Sequence, residues 1–202
     1  MQLSVAPDVE AIVKPGWFVA EPLRVVDRDE AMDEPLRRAA AALRVAVESA
    51  DITTAVRSMY KRCGIDPTKT RPSSEALLRR VKRGDELPRI NSLVDIINWC
   101  SVETQLPYGL YDLDKINGDV VLRLGHAGEE YAGIRKDAVH VGGRLTLADA
   151  AGPFGNPTSD SARTMVTTAT TRALVVIFCP AAVSQPTLDA AVALTKARII
   201  SR

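Results

Sequence analysis

The stretch Ile90–Asp119, INSLVDIINWCSVETQLPYGLYDLDKINGD, mixes polar and apolar residues before running into Pro, Gly and Asp, and its reading decides the fold. Leu93, Ile96, Ile97 and Trp99 recur at helical spacing, which predicts a helix from about Ile90 to Glu103. Asn91, Asp95 and Asn98 stand at i, i+4 and i+7 and so share one face of that helix. A row of amide and carboxylate groups can fix a polar ligand. It can equally tie down the irregular chain that follows, because buried Asn and Asp side chains commonly satisfy backbone groups. Both readings are open at this point. Downstream, Asp112, Asp114 and Asp119 resemble a cation loop only superficially: the EF-hand spacing and its closing Glu are absent, and turn-forming carboxylates ahead of a strand explain them better.

Working outward, DEPLRRAAAALRVAVESA carries Leu36, Ala40, Leu43 and Val47 at a helical period, predicting a helix over Glu34–Ser49. Asp51 is the expected cap of a second helix, ITTAVRSMYKRC, which Gly64 stops. Ser73 or Ser74 is the expected cap of a third, SSEALLRRVKRG. The first thirty residues read as short extended pieces, with WFVAEPLRVV the clearest strand. Beyond Leu106 the segments GDVVLRLG, EEYAGI, AVHVGGRLTLAD and ALVVIFCP are strand-like, and TLDAAVALTKARIISR is a closing helix. Helices, then strands, then one helix define an α+β class. A single domain over residues 1–202 is expected: N-terminal strands and a helix through residue 50, a core over 51–182, and a C-terminal helix over 183–202.

The composition, 46% hydrophobic and 25% charged over 202 residues, is that of a globular chain able to bury a sizeable core. The longest apolar run, Ala173–Val183, is interrupted by Pro180 and falls short of the about 20 residues a membrane span needs. The N-terminus lacks a basic start followed by an apolar block, so a cytoplasmic location is expected. Cys63, Cys100 and Cys179 are odd in number and widely spaced, which disfavours a disulfide framework and a thiolate zinc site. Charge is unevenly spread: residues 1–36 carry a balance of −5 and residues 57–89 a balance of +6. A basic block of that size hints at a polyanionic partner.

The segment Asp149–Thr171 is rich in Gly, Pro, Ser and Thr, and long loops of that kind tend to be functional. Backbone at Gly152 and Gly155, with the hydroxyls of Ser159 and Ser161, offers donors for a carbonyl or phosphate oxygen. No Lys-Ser or Lys-Thr pair follows, so it is not a P-loop. His126 and His140 have no third histidine and the serines no GxSxG elbow, so neither a metal or other cofactor nor a serine hydrolase is expected. The bases Arg79, Arg80, Lys82 and Arg83 suit a helix C-terminus as a solvated face. With Arg71 they could also follow a nucleic-acid backbone.

RPSSEALLRRV, followed by LPRINSLVDIINWCSVETQLPYGLYDLDKINGDVVLR and TTRALVVIF, resembles the B3/B4 domain of the bacterial phenylalanyl-tRNA synthetase β-subunit and its free-standing relatives, over roughly Arg57–Pro180. The resemblance implies mixed sheets or a sandwich flanked by helices. It also implies an editing deacylase that hydrolyses a mischarged tRNA in trans, as relatives that clear canavanine from the arginine tRNA do. Carried over, it makes Asn98 a substrate-site asparagine and Asp95 a shared acid, the catalytic candidates. The synthetase's neighbouring threonine is Ile97 here, its histidine is Gly109, and the glutamate that reads tyrosine falls near Val176, so tyrosine editing is not expected. Substrate contacts are expected from Asn91, Tyr108, Gly109, Gly155, Ser159, Asp160 and Arg163, and tRNA contacts from Arg71, Arg79, Arg80, Lys82 and Arg83. A cationic substrate side chain would need a carboxylate, for which Asp160, Asp149 and Asp95 are the candidates in that order. The expected partner is the aminoacylated 3′ end of tRNA, met by a monomer with no membrane attachment. The alternative is a non-catalytic RNA-binding module.

Overall fold

The computed structural model describes residues 1–47, 49–134 and 136–201, with Lys136 and Asp137 described by backbone alone. Glu48 and Arg202, which fall within two of the predicted helices, lie outside the described residues. In chain order the elements are β1 (Leu3–Val5), β2 (Val13–Ala20), α1 (Asp33–Val45), α2 (Ala50–Arg62), α3 (Ser73–Lys82), α4 (Ser92–Thr104), β3 (Tyr108–Asp112), β4 (Val120–Leu124), β5 (Glu130–Gly133), β6 (Lys136–His140), β7 (Leu145–Asp149), β8 (Gly152–Gly155), β9 (Ala173–Pro180) and α5 (Gln185–Ile200). This is the α+β architecture expected from the order of patterns. No helix among the described residues is long and apolar enough to cross a membrane.

ALVVIFCP becomes β9, buried along its whole length, and it pairs antiparallel with β2 on one edge and β3 on the other. Continuous burial matches a continuous β-branched and aromatic run rather than an alternating one. A second sheet has the order β1-β4-β7-β8, with β1 and β4 parallel, and β5 pairs with β6 as a separate ribbon. Most of the buried apolar residues, from both larger sheets and the helices, form one contiguous cluster.

Several local expectations are corrected. The α1 helix ends at Val45, and the chain beyond it turns extended at Ala46. The cap of α2 is Ser49, whose hydroxyl accepts from Ile52 N, while Asp51 sits in the first turn. Helix α3 starts after Pro72 with no side-chain cap: Ser73 Oγ donates instead to Pro157 O at 3.1 Å, tying the helix to a distant loop. Strand β2 spans Val13–Ala20, ahead of Pro22, whose nitrogen has no hydrogen to give a ladder. The long segment 149–171 contains β8, paired with β7.

Strand alternation divides β3 between two layers. Tyr108 and Leu110 face α4 and α5, and the Tyr108 hydroxyl lies 3.1 Å from Thr195 Oγ1 on α5. Tyr111 faces the second sheet, its ring edge-on to Phe154 of β8 at 5.0 Å between centroids. Tyr111 folds back over two glycines. A Cβ at Gly109 would sit 2.1 Å from its hydroxyl and one at Gly155 would sit 2.3 Å from it. Gly109→Ala and Gly155→Ala are therefore each expected to destabilise the fold by about 1–3 kcal/mol through overpacking. Urea denaturation checks this, and unchanged midpoints would mean that the Tyr111 ring has room to move.

Candidate functional site

The site grows from the need to cover the free edge of β3. The chain after β8 runs along that edge: Asp112 N donates to Thr164 O at 2.9 Å, and Gly155 and Asp160 form an antiparallel bridge. Buried Asn156 shapes the turn by accepting from Thr158 N at 2.8 Å and Ser159 N at 2.9 Å. The β5 region holds the other side, with Ala162 N donating to Ala132 O and Ile134 N to Asp160 O.

Between this covering segment and α4 lies a cleft of about 630 Å³. Val94, Ile97 and Asn98 of α4 form one wall, Tyr108 and Leu110 the floor, and Ile134, Asp160, Ala162, Met165 and Val166 the other wall, with Ile90 at the rim. It is an apolar pocket with few polar groups, the usual form of a small-ligand site. Two of those groups are notable. The Asn98 side chain has no hydrogen-bond partner among the described residues, and Oδ1 of Asp160 is buried without one.

The hydroxyl of Tyr111 is likewise buried without a bonded partner, although it lies close enough to Asp160 for each to affect the other's ionisation. Burial pushes the Asp160 carboxyl up to about 7, against the smaller lowering effects of the Tyr111 hydroxyl and the Leu110 N–H. Burial, and then the negative charge of Asp160, raise Tyr111 well above its ordinary range. The carboxyl is thus pushed towards its protonated form, with the Tyr111 hydroxyl and the Leu110 N–H as its near donors.

The predicted residues separate into those that meet the cleft and those that do not. Asn98, Tyr108 and Asp160 line it. Asn91 and Asp95 share the helix face as expected, yet neither is a cleft wall. Asn91 is the N-cap of α4, accepting from Val94 N at 2.9 Å. Asp95 is fully buried, accepting from Ile90 N at 2.8 Å and from Arg89 Nε at 2.7 Å. Arg89 also pairs with Asp33 of α1 and donates to Asp29 O. Both residues thus do the structural work that was one of the two open readings.

Gly109 and Gly155 make room for Tyr111 rather than for a ligand. Ser159 is held by Asn156, and its carbonyl accepts from the Tyr131 hydroxyl. Arg163 forms a bidentate pair with Asp149 at 2.9 Å and lies over Phe154, outside the cleft. Asp149 is satisfied by Arg163, Asn117 N and Ala151 N, and Asp95 by Arg89, leaving Asp160 as the candidate carboxylate in the cleft. His140 pairs with Glu130 on β5, away from the cleft walls.

The bases of α3 are exposed but mostly engaged. Arg71 pairs with Glu75, Arg80 donates to Glu86 O, Lys82 to Ala46 O, and Arg83 lies 3.5 Å from Asp85. Arg89 and Tyr111 were missed in the sequence. Arg89 stands six residues before an acid at a helix start, a weak signal, and Tyr111 gives none until Gly109 and Gly155 are seen to converge on it.

A β3 edge strapped by a loop, with a ligand-sized cleft between that strap and a helix, defines an α+β pocket protein. Residues 55–190 match the B3/4 domain, and the chain belongs to that family. A 64-residue stretch is 38% identical to the phenylalanine–tRNA ligase beta subunit of Leifsonia xyli subsp. xyli, covering 32% of this chain and 7% of that one. The fold is similar to that of an N-terminal fragment of the phenylalanyl-tRNA synthetase beta-subunit from Pyrococcus horikoshii, with a TM-score of 0.52 at 14% identity, over 100% of this chain and 48% of that one. The chain spans less than half the length of either relative.

Asp95→Ala leaves the Ile90 amide and one Arg89 donor without their acceptor, while Arg89 keeps Asp33 and Asp29 O, so it is expected to cost about 1–3 kcal/mol in chemical denaturation. A near-wild-type midpoint would show that the pair is not a structural clasp. For Asp160 the folded state keeps its proton up to about 7, whereas an unfolded Asp releases it near 3.9. The unfolded chain therefore binds fewer protons between those values, and stability falls as pH rises through the window. Asp160→Asn should remove that decline, gaining on the order of 2–4 kcal/mol over the wild type at pH 8 relative to pH 4. Parallel pH–stability curves for the two proteins would contradict the assignment.

Proposed function

We propose that the protein is a cytoplasmic aminoacyl-tRNA deacylase acting in trans as a monomeric unit, with the aminoacyl 3′ end of a mischarged tRNA entering the cleft beside α4. The observation that carries this reading is the meeting, in one apolar cleft of a B3/4 domain, of two polar groups on facing walls: the half-buried Asn98 amide and the Asp160 carboxyl, whose Oδ1 is buried. A few polar groups placed in an apolar pocket fix the orientation of what binds there.

The ester bond to tRNA is already activated, so the demands on the protein are modest. Water adds to the ester carbonyl, the bond to the ribose oxygen breaks, and that oxygen leaves with a proton. Asn98 can donate its amide hydrogens to the carbonyl oxygen as negative charge develops there, and the apolar walls keep this donation strong by excluding bulk water. Ribose hydroxyls of the tRNA itself lie within the reacting group and can position the water without a dedicated side-chain base.

Asp160 then reads the amino-acid side chain. A carboxylate against apolar walls favours a cationic or multiply donating group, and the canavanine guanidinooxy cation, an arginine analogue, fits that demand. Such a cation opposes the burial effect on Asp160 and draws it into the ionised form. The charge-assisted contact is worth about 1.5–3 kcal/mol.

Incubating the purified protein with canavanyl-, tyrosyl- and phenylalanyl-tRNA tests the reading. Hydrolysis of one species well above background is expected, with Asn98→Ala lowering the rate about 10²–10³-fold as the loss of an oxyanion donor does. Asp160→Asn should abolish any preference for canavanyl-tRNA. No hydrolysis across the panel, with salt-sensitive tRNA binding retained, would identify a non-catalytic RNA-binding module instead.

A further inference from the structure

A second cleft, of about 520 Å³, lies between α1 and the chain that leads into α4. Its walls include Arg28, Arg37, Arg44 and Arg89, set against the carboxylates of Asp33 and Glu86. The excess of guanidinium over carboxylate does not come from idle surface chains alone. Asp33 is already saturated, accepting from Arg28 Nη2 with both oxygens and pairing with Arg89, and Arg28 followed by Arg89 holds it below the usual carboxylate range. Arg28 thus spends only Nη2 on that acid. Arg44 has no acidic partner among the described residues. Its Nε and Nη2 are fixed by the carbonyls of Val81 and Gly84, which leaves Nη1 for a ligand. Arg37 lies 3.4 Å from Glu34 and is 63% exposed.

This cleft stands between two features that have so far been separate. On one side Arg44 and Lys82 tie α1 to the C-terminal end of α3, where Arg79, Arg80 and Arg83 are exposed. On the other side, consecutive residues belong to the two clefts: Arg89 lines the arginine-rich one and Ile90 the rim of the one beside Asn98. Arg89, half-buried between Asp33 and Asp95, is the last wall residue of the arginine-rich cleft before the chain enters the one beside Asn98.

We propose that the arginine cleft holds phosphate groups of a single RNA strand, running from the basic end of α3 towards the cleft beside Asn98. Guanidinium groups with unused N–H donors match phosphate oxygens in geometry as well as charge. The site rests on the deacylase reading for its direction, since it places the strand's 3′ end at Ile90. It depends on that reading for nothing else.

The test measures binding of a short single-stranded RNA ending in CCA to the full chain across a salt series. Arg28→Gln and Arg37→Gln, both at exposed positions, should each weaken binding about 3–10-fold at low salt and reduce the slope of log affinity against log salt by about 0.7, the value for one phosphate contact on a single strand. Lys61→Gln, on the exposed side of α2, should change neither. Thermal melts of the variants confirm that they are folded. Unchanged affinity and slope in both arginine variants would overturn the proposal. So would tight binding of ADP that RNA fails to displace, because the cleft would then be a free-nucleotide site. Hydrolysis of a 3′-aminoacyl adenosine, which lacks phosphate, by the wild-type protein tests the deacylase reading alone. If that fails while the RNA effects hold, the phosphate cleft stands without it.

Discussion

Strand β9 is buried along its full length and hydrogen-bonded on both edges, and the rest of the molecule follows from meeting that demand. Its two neighbours become the outer strands of the sheet. β2 can carry Pro15 because an edge strand loses little from a missing donor. β3 has a free edge in the interior of the fold, and an uncovered edge there would leave backbone groups unpaired. The segment after β8 covers it, from the bridge at Asp160 to the bond between Asp112 and Thr164. A cleft remains where that covering segment and α4 diverge. The pocket is thus a by-product of protecting an edge, walled by α4 and the floor of β3 on one side and by the covering segment on the other.

The polar row on α4 resolves into three tasks set by position along the helix. At the N-terminus Asn91 satisfies an amide that has no partner within the helix. One turn on, Asp95 is enclosed by the incoming chain and receives Arg89. A further turn on, Asn98 emerges where the covering segment falls away, and it meets open space. One helical face therefore passes from cap to clasp to cleft: Asn91 and Asp95 follow the structural reading of the row, and Asn98 is the member that reaches the cleft.

That outcome also explains what was legible in the sequence. The α4 helix and β9 were visible because their periodicity is local, and the α+β class followed from the order of such segments. Asn98, Tyr108 and Asp160 were found as cleft residues, two through a family resemblance and loop position rather than spacing. What stayed hidden depends on pairing across the chain. Ser73 and Ser74 are the two cap candidates in the sequence, yet α3 has no side-chain cap and Ser73 bonds Pro157, 84 residues away. Gly109 and Gly155 looked like places for a ligand to approach, and the group that approaches is Tyr111. Arg163 looked available until Asp149, fixed by Asn117 and Ala151, claimed it. A polar residue's type announces that it needs a partner; only the fold says whether the partner is internal.

The distribution of unmet needs is then informative. Buried polar atoms without a hydrogen-bond partner, among the described residues, are Tyr111 Oη, Asp160 Oδ1, Thr164 Oγ1 and Trp99 Nε1. Three of these belong to β3 and the segment that covers it, and Trp99 follows Asn98 on α4. A stranded group of this kind costs about 1–3 kcal/mol, and the four lie on different faces: Tyr111 turns to the second sheet, Trp99 lies under Arg198, and Asp160 alone of the four lines the cleft. Apolar residues of similar size at Asp160 would fill the same wall without leaving an acceptor unmatched. The Asp160 carboxyl lines the cleft across from the Asn98 amide, and its burial is offset inside the fold only by the nearby Tyr111 hydroxyl and the Leu110 N–H.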